Sequence, residues 1–374
     1  HPMADRFRLG TFGHRALMDT STLSKVYQSD GPFATVLVDV GHESENGAHE
    51  HELRVRAARE ALREQGAPEG VVTAVGDRLG ELVPQPVPVA RLVVVTADGV
   101  QHDETAAFQV DDPVATWGPL PDLARWIEHA DGAVTFVLAV VDHEGGDVAV
   151  HRSDLPSPEQ TASVHGSTEN IHQVGADDWG SLKYQHRTEN VWAHNAAEVA
   201  DRITSHVRAG NRLVLLAGDP RSRSLVRERL DGTHAEVVDL ESGSRADDGG
   251  EEALQAAVRG ALLEQVVRRR VGRVHELRER LGRGEGAVAG LDDVTGAFVR
   301  GQVATLLLDP AAAAQQELAP GTYRGLSIGT QETVPADVGL VAAAALTSAD
   351  VAIVSSATLG GEPVAALLRW DQPA

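Results

Sequence analysis

The chain has 374 residues, no cysteine and a formal net charge of −22, and 42% of its residues are hydrophobic. This length predicts more than one domain, and the lack of cysteine excludes disulfides, thiolate catalysis and cysteine-based zinc sites. The negative charge argues against a protein that binds nucleic acid mainly through bulk attraction to phosphate.

The sequence shows no sign of a membrane or export segment. No apolar run approaches the roughly 20 residues that a membrane-spanning helix needs. No basic start is followed by an apolar stretch of the signal-peptide type. We therefore expect a cytoplasmic protein without a membrane partner.

The first part of the chain has the pattern of an α/β domain. Alternating apolar runs and helical spacing predict strands at 33–40, 91–96, 133–141 and 147–152, and helices at 51–65, 70–82 and 121–129. An acidic, histidine-rich loop is predicted at residues 41–50, between the first strand and the first helix.

A long polar stretch opens the second part. Residues 153–178 have no hydrophobic periodicity, and loops of this length inside a compact domain are usually functional or disordered. The apolar positions of the next helix are spaced by three or four residues: Trp192, Ala196, Val199, Ile203 and Val207. Then follow a strand at 213–217, a helix at 222–230 capped by Ser222, a strand at 235–240, an acidic linker at 241–250 and a long helix at 251–281. This alternation predicts a partly parallel sheet.

The last part is a small α/β unit with helices at 292–300 and 336–348 and strands at 303–308, 351–354 and 363–368. The fold class is therefore α/β. We predict three domains: an N-terminal α/β domain at 3–145, a middle domain at 146–275 and a C-terminal domain at 276–374. The middle domain contains an exposed loop at 153–181 and the long helix.

Acidic and histidine side chains crowd residues 42–52. They are His42, Glu43, Glu45, His49, Glu50, His51 and Glu52. A zinc-protease motif needs two histidines four residues apart on one helical face, and these residues crowd a predicted loop instead. We therefore expect a solvated loop and no metal site.

Three other motifs have a functional and an ordinary interpretation. The glycines at 282, 284 and 286 suggest a phosphate-binding loop, but they follow a helix, so a helix end and turn is favoured. The segment 218–222 follows a strand and either holds an anion or simply connects strand to helix, the second being favoured. Ser355 and Ser356 lack a nearby base and acid, so a nucleophile is not predicted.

The segment from residue 177 to residue 187 is the strongest candidate site. It joins the polar stretch to the amphipathic helix and carries one of the two lysines of the chain. Aromatic faces stack on RNA bases and cations neutralise phosphate. We predict that RNA contacts are made by Trp179, Gly180, Ser181, Lys183, Tyr184, Gln185, His186 and Arg187. The alternative is an ordinary helix start, capped by Ser181 and with Tyr184 packed inward.

The order of these parts resembles the bacterial relatives of the archaeo-eukaryotic peptide release factors. Tyr184-Gln185-His186-Arg187 is similar to the aromatic-Gln-Arg-Arg helix start of that family. Segments 31–35, 141–143, 218–223, 282–284 and 365–370 are similar to an actinobacterial branch that includes a mycobacterial dormancy-associated protein. The resemblance implies a three-domain release-factor-like architecture with an L7Ae-like α/β C-terminal domain.

The chain departs from this family at the catalytic motif. Competent members carry Gly-Gly-Gln or Gly-Ser-Gln in the loop, and no Gly-Gly-Gln occurs in this sequence. Aligned on Tyr184-Gln185, Ser181 stands where the hydrolytic glutamine is expected. That glutamine positions water against the peptidyl-tRNA ester, and a serine cannot reach as far. The resemblance therefore implies that hydrolysis is weak or lost while ribosome binding is kept.

Relatives with this loss include the hibernation factor Balon, which occupies the ribosomal A site together with the elongation factor EF-Tu. The resemblance thus favours a non-enzymatic, RNA-binding stress protein. Its expected partners are the 70S ribosome, with its ribosomal RNA, and EF-Tu, with no DNA and no cofactor. The alternative is a peptidyl-tRNA hydrolase that rescues stalled ribosomes, with Gln185 positioning water and His186 carrying a proton. A third interpretation is a scaffold for protein contacts alone.

Overall fold

The computed structural model describes residues 24–41, 45–80, 89–153, 159–165, 178–241 and 251–370. Within these ranges, Ala133–Val266 form one compact unit. The described residues up to Gly132 and those from Val267 onward form the other, which we call the terminal unit. In the described ranges, the helices are all too short or too polar to cross a membrane.

The N-terminal part of the terminal unit is built on a four-stranded sheet. Its elements are β1 (Phe33–Asp39), α1 (Glu45–Glu64), α2 (Glu69–Gly80), β2 (Ala90–Thr96), β3 (Gly99–Ala106), β4 (Val114–Gly118) and α3 (Ala124–Asp131). The strand order is β3-β2-β1-β4, and each neighbouring pair is antiparallel. The apolar runs of β1 and β2 are almost wholly buried. The predicted central strands are thus confirmed.

Two expectations in this part are corrected. The sequence analysis missed β3 and β4, the two outer strands of the sheet. The stretch predicted as an acidic loop is helical from Glu45 onward, so α1 begins six residues earlier than expected. Packing explains the histidine in this stretch, because the Nε2 atom of buried His51 lies 2.7 Å from the carbonyl oxygen of Leu79 in α2.

The unit Ala133–Val266 is built on a five-stranded sheet. Its elements are β5 (Thr135–Asp142), β6 (Gly145–Arg152), β7 (Gln160–His165), α4 (Asp178–Arg208), β8 (Leu213–Gly218), α5 (Pro220–Leu230), β9 (Glu236–Asp239) and the first half of α6 (Glu251–Arg283). The strand order is β7-β6-β5-β8-β9. The pairs β5–β8 and β8–β9 are parallel and the others antiparallel. The predicted partly parallel sheet is therefore confirmed.

Three boundaries in this unit differ from the prediction. β5 pairs with β6 along its whole length, so this unit begins near residue 133 rather than at residue 146. β7 lies inside the predicted loop 153–181, and α4 begins at Asp178 within the same stretch. The cap of α5 is Asp219 rather than Ser222, since the Ser222 backbone N–H donates to Asp219 Oδ2 at 2.8 Å.

The C-terminal part of the terminal unit contains a second four-stranded sheet and a separate two-stranded sheet. Its elements are β10 (Ala287–Ala289), α7 (Leu291–Val299), β11 (Val303–Leu308), α8 (Pro310–Ala313), β12 (Glu317–Leu318), β13 (Val334–Pro335), α9 (Ala336–Thr347), β14 (Asp350–Ile353) and β15 (Val364–Leu368). The strand order of the larger sheet is β10-β15-β11-β14, with β11 and β14 parallel. In the smaller sheet β12 pairs with β13. Gly284 and Gly286 have φ values of 72° and 77° just after α6 ends, which confirms the predicted helix end and turn.

The two sheets of the terminal unit share one hydrophobic core. Buried side chains of the N-terminal part, such as Leu92 and Trp126, belong to the same cluster as Phe298 and Leu306 of the C-terminal part. The apolar faces of both sheets are therefore covered within one unit.

Tyr27 and Asp337 are buried in this unit and Asp122 is half-buried, and we call these three residues the acidic cluster. Burial, with the nearby charge of Asp122, raises the pKa of Asp337 to about 6. Burial likewise raises the pKa values of Asp122 and Tyr27. Asp337 is 6% exposed and its Oδ1 has no hydrogen-bond partner within the described chain. The cluster therefore opposes ionisation of its own members.

Candidate functional site

The predicted RNA-contacting segment lies in the first third of α4. The backbone is helical from Asp178 onward, so Trp179, Gly180 and Ser181 belong to the helix rather than to an exposed loop. Ser181 is then inside the helix and is not its N-cap. Lys183, Tyr184, Gln185, His186 and Arg187 follow in the same helix. The structure describes their backbone, and it describes side chains in α4 from Trp192 onward.

The helical backbone has a chemical consequence for Gln185. In an α-helix the N–H of each residue donates to the carbonyl four residues earlier. Gln185 is seven residues past the first helical residue, so its N–H is used by the helix.

The second half of α4 fixes this helix on the sheet of its unit. Ala196, Val199, Ala200, Ile203 and Val207 are buried in one cluster with side chains of β5, β6 and β8. They recur every three or four residues, as the sequence analysis predicted, and so form one face of the helix. The segment Trp179–Arg187 is thus an extension of a firmly packed helix.

The parallel strands β5 and β8 end side by side next to α4. The Asp219 N–H donates to the Val141 carbonyl at 2.9 Å across the two strand ends. Gly218 has a φ of 105°, and a Cβ at this position would lie 2.0 Å from the Val141 oxygen. Only glycine fits there. This close approach brings the segments 141–143 and 218–223 together in space.

Aromatic and cationic side chains meet at these strand ends, and we call Trp192, His143, Arg221 and Asn195 the Trp192 cluster. The Arg221 Cζ atom lies 5.0 Å from the ring centroid of Trp192. The rings of His143 and Trp192 are 5.9 Å apart and tilted by 57°. Both His143 and Arg221 are exposed. A cation over an aromatic face, open to solvent, is a surface on which nucleic-acid bases and phosphates bind.

Asn195 connects this cluster to the packed face of α4. It is 1% exposed, and its Nδ2 donates to the His143 carbonyl at 3.0 Å. Its Oδ1 is buried without a hydrogen-bond partner within the described residues. Asn195 therefore holds the β5–β6 turn, which carries His143, against the helix.

The favoured interpretation of segment 218–222 is confirmed as a connection. The carboxylate of Asp219 already accepts the Ser222 N–H at the start of α5. A second negative group at this helix start is repelled by that carboxylate, so the backbone N–H groups at the start of α5 do not form an anion site.

Ser355 caps a short helix, and Ser356 is the first residue of that helix. Ser355 Oγ accepts the Ala357 N–H at 3.3 Å, and Asp309 Oδ2 accepts the Ser356 N–H at 2.7 Å. These contacts begin the short 3₁₀ helix Ser356–Leu359. The hydroxyl of Ser355 therefore serves local structure.

The acidic, histidine-rich stretch also has structural contacts. Glu50 pairs with Arg54 and Glu52 with Arg56 along α1, at 3.2 Å in each case. His42 and Glu43 lie outside the described residues. In the described part of the chain, His, Asp and Glu side chains form no group of three that could hold a metal ion.

Sequence reasoning missed most of the Trp192 cluster. It placed Trp192 on the buried face of the helix, whereas the structure leaves this side chain half-buried at the strand ends. His143 and Arg221 lie in two of the motifs that carried the family resemblance. Their order along the chain was the available signal, but it did not show that they meet at one tryptophan.

The middle of the chain matches a known family. Residues 135–283 match the model of bacterial archaeo-eukaryotic release factor family 2. The match begins at the first residue of β5 and ends at the last residue of α6. It therefore includes α4 and the whole Trp192 cluster, and it confirms the predicted resemblance over these residues.

Individual relatives are more distant. An uncharacterised protein of Mycobacterium tuberculosis H37Rv is 25% identical over 299 residues, which is 78% of each chain. Pelota of Archaeoglobus fulgidus is 13% identical, with a TM-score of 0.37, over 98% of this chain and 100% of that one. A model of ribosome-bound archaeal Pelota and ABCE1 gives 15% identity, a TM-score of 0.40 and 98% coverage of both chains.

Proposed function

We propose that this chain, a bacterial archaeo-eukaryotic release factor-like protein, binds the 70S ribosome in its A site without hydrolysing peptidyl-tRNA. In this proposal it acts as a hibernation or stress protein. The segment Trp179–Arg187 contacts ribosomal RNA near the peptidyl transferase centre, and EF-Tu assists delivery. This proposal is supported by the match of residues 135–283 to bacterial archaeo-eukaryotic release factor family 2.

The proposal depends on the residue that replaces the hydrolytic glutamine of the family. Ser181 stands where the resemblance expects glutamine, and it lies in a helix that begins at Asp178. Water positioning of this kind contributes several kcal/mol to catalysis and requires a group within about 3 Å of the reacting atom. A short serine side chain on a helical backbone does not supply that group.

The Trp192 cluster supports RNA as a partner of the unit Ala133–Val266. Arg221 and His143 are exposed beside Trp192, where the parallel strands end. Arg221 therefore places a cation over an aromatic face in a chain whose net charge is −22. Delivery by a partner protein would reduce the need for bulk attraction between the chain and RNA.

The binding test uses vacant 70S ribosomes and sedimentation through a sucrose gradient. Reversing the charges of Lys183 and Arg187 to Glu should weaken co-sedimentation at least about tenfold, because two phosphate contacts are lost. The matched control reverses the charges of Arg202 and Arg208. Both side chains are exposed on the same helix. If both double variants co-sediment with ribosomes to the same extent, the segment Trp179–Arg187 is not a ribosome contact.

A release assay decides between the proposal and the hydrolase alternative. Ribosomes that carry a labelled nascent peptide are incubated with the protein, and free peptide is measured against buffer alone. We expect no release above the background. Robust release that is abolished by Gln185→Ala or His186→Ala would refute the non-enzymatic proposal and establish the hydrolase.

A further inference from the structure

The second half of α6 has a charge opposite to that of the whole chain. Residues 268–283 contain seven arginines and two glutamates, whereas the chain carries a net charge of −22. Interaction with the helix dipole explains cations only in the last turn. The arginines begin at residue 268, about four turns before the helix ends, and therefore extend beyond that last turn.

Some of these arginines have structural partners. Arg273 pairs with buried Asp131 at 2.8 Å, and Arg280 donates to Glu276 and to the carbonyls of Gly286 and Leu368. Arg278 is different. It is exposed, and its contact in the described chain is one hydrogen bond from Nη2 to the Thr358 carbonyl at 3.1 Å. Most of its five N–H donors are therefore available to a ligand.

Arg278 lies at a cleft of about 360 Å³, which we call the Arg278 cleft. One wall is α6 and the other is the end of β14 with the following 3₁₀ helix. The lining residues are Arg270, Val271, Val274, His275, Arg278, Ile353, Val354, Ser355 and Thr358. The cleft therefore combines an apolar surface of valine and isoleucine side chains with two guanidinium groups, an imidazole and two hydroxyls.

Asp131 holds the two walls in place. Its Oδ2 accepts the Ile353 N–H at 3.2 Å and lies 3.6 Å from Nε of Arg270, while its Oδ1 accepts from Arg273. Asp131 is thus bound both to β14 and to α6 within the terminal unit. The cleft is formed before a ligand arrives, which lowers the ordering cost of binding.

We propose that the Arg278 cleft binds one unstacked nucleotide of single-stranded RNA. The valines and exposed His275 contact the base, and Arg278 binds the phosphate. A planar guanidinium matches phosphate geometry with two parallel hydrogen bonds. The apolar surface has no counterpart in an acidic peptide of Asp and Glu, so RNA is favoured over an acidic protein segment. The inference rests on the proposed function for the identity of the RNA as ribosomal.

The test measures binding of a fluorescently labelled, single-stranded RNA 12-mer to the full chain by anisotropy. Arg278→Glu should weaken binding about tenfold and lower the slope of log affinity against log salt by about one, because one phosphate contact is lost. His275→Ala should weaken binding without changing that slope, since stacking involves no counterion release. The matched control is Arg56→Glu, an exposed helical arginine of the same unit.

Three outcomes separate this inference from the proposed function. If RNA affinity falls equally in Arg278→Glu and Arg56→Glu, the proposal that the Arg278 cleft binds a nucleotide is refuted. Displacement of the RNA by polyglutamate as effectively as by unlabelled RNA would instead indicate an acidic protein partner. If the 12-mer binds through Arg278 but the protein does not sediment with ribosomes, nucleotide binding by the cleft is supported and the proposed ribosome binding is refuted.

Discussion

The acidic cluster makes the stability of the terminal unit depend on pH through Asp337. Replacing Asp337 by Asn keeps an acceptor oxygen and nearly the same shape but removes the ionisation. Because burial and the charge of Asp122 raise the folded pKa of Asp337 to about 6, the wild-type protein must ionise this group in the folded state at neutral pH. We expect Asp337→Asn to stabilise the protein there.

The direction and the size of this stabilisation follow from the linkage between protonation and folding. A carboxyl whose folded pKa is about 6 and whose unfolded pKa is about 4 destabilises the folded state progressively as pH rises between these values. The full effect above pH 7 is about 3 kcal/mol, since one pKa unit corresponds to about 1.4 kcal/mol. Loss of a negative charge at the start of α9 offsets up to about 1 kcal/mol. The expected net stabilisation at pH 7.5 is about 2 kcal/mol.

The assay is urea unfolding at pH 7.5 and at pH 4.5, followed by tryptophan fluorescence. Trp126 is buried in the shared core of the terminal unit and reports its unfolding. At pH 4.5 the advantage of Asp337→Asn should fall below about 1 kcal/mol. The matched control is Asp293→Asn, an exposed first-turn aspartate of α7 that loses only the interaction with the helix dipole. A variant no more stable at pH 7.5, or an advantage independent of pH, would refute the reasoning.

Two further substitutions test the packing described above. Gly218→Ala should destabilise the unit Ala133–Val266 by at least about 2 kcal/mol, measured by thermal unfolding, because the added Cβ meets the Val141 oxygen and the φ of residue 218 is positive. An unchanged Tm would contradict the close approach of the two strand ends. Asp131→Asn should destabilise the terminal unit by about 3 kcal/mol in urea unfolding, since Arg273 loses a buried partner. A loss below about 1 kcal/mol would show that Asp131 does not connect the walls of the cleft.

The sequence predicted the interior of the fold better than its edges. β1, β2, β5 and β8 are runs of valine, leucine and alanine, and such runs predict buried strands. β3 and β7 were missed because each lies at the edge of its sheet and has a mixed polar sequence. An edge strand has one solvent-exposed side, so it needs no continuous apolar run.

The candidate sites depended on contacts that no local pattern contains. His143, Trp192 and Arg221 are separated by dozens of residues and meet only because β5 and β8 are parallel neighbours beside α4. The Arg278 cleft likewise needs α6 to lie against the end of β14. The arginine run of α6 was visible in the sequence, but its opposite wall was not.

The shared core of the terminal unit has a consequence for synthesis of the chain on the ribosome. Side chains up to Ile127 share a hydrophobic cluster with side chains as late as Leu368. The unit Ala133–Val266 lies between them in the sequence. At roughly 5–20 residues per second, the early sheet emerges ten seconds or more before its covering partner. During that interval its inner face remains uncovered, so we expect nascent chains halted before the last strand to recruit chaperones.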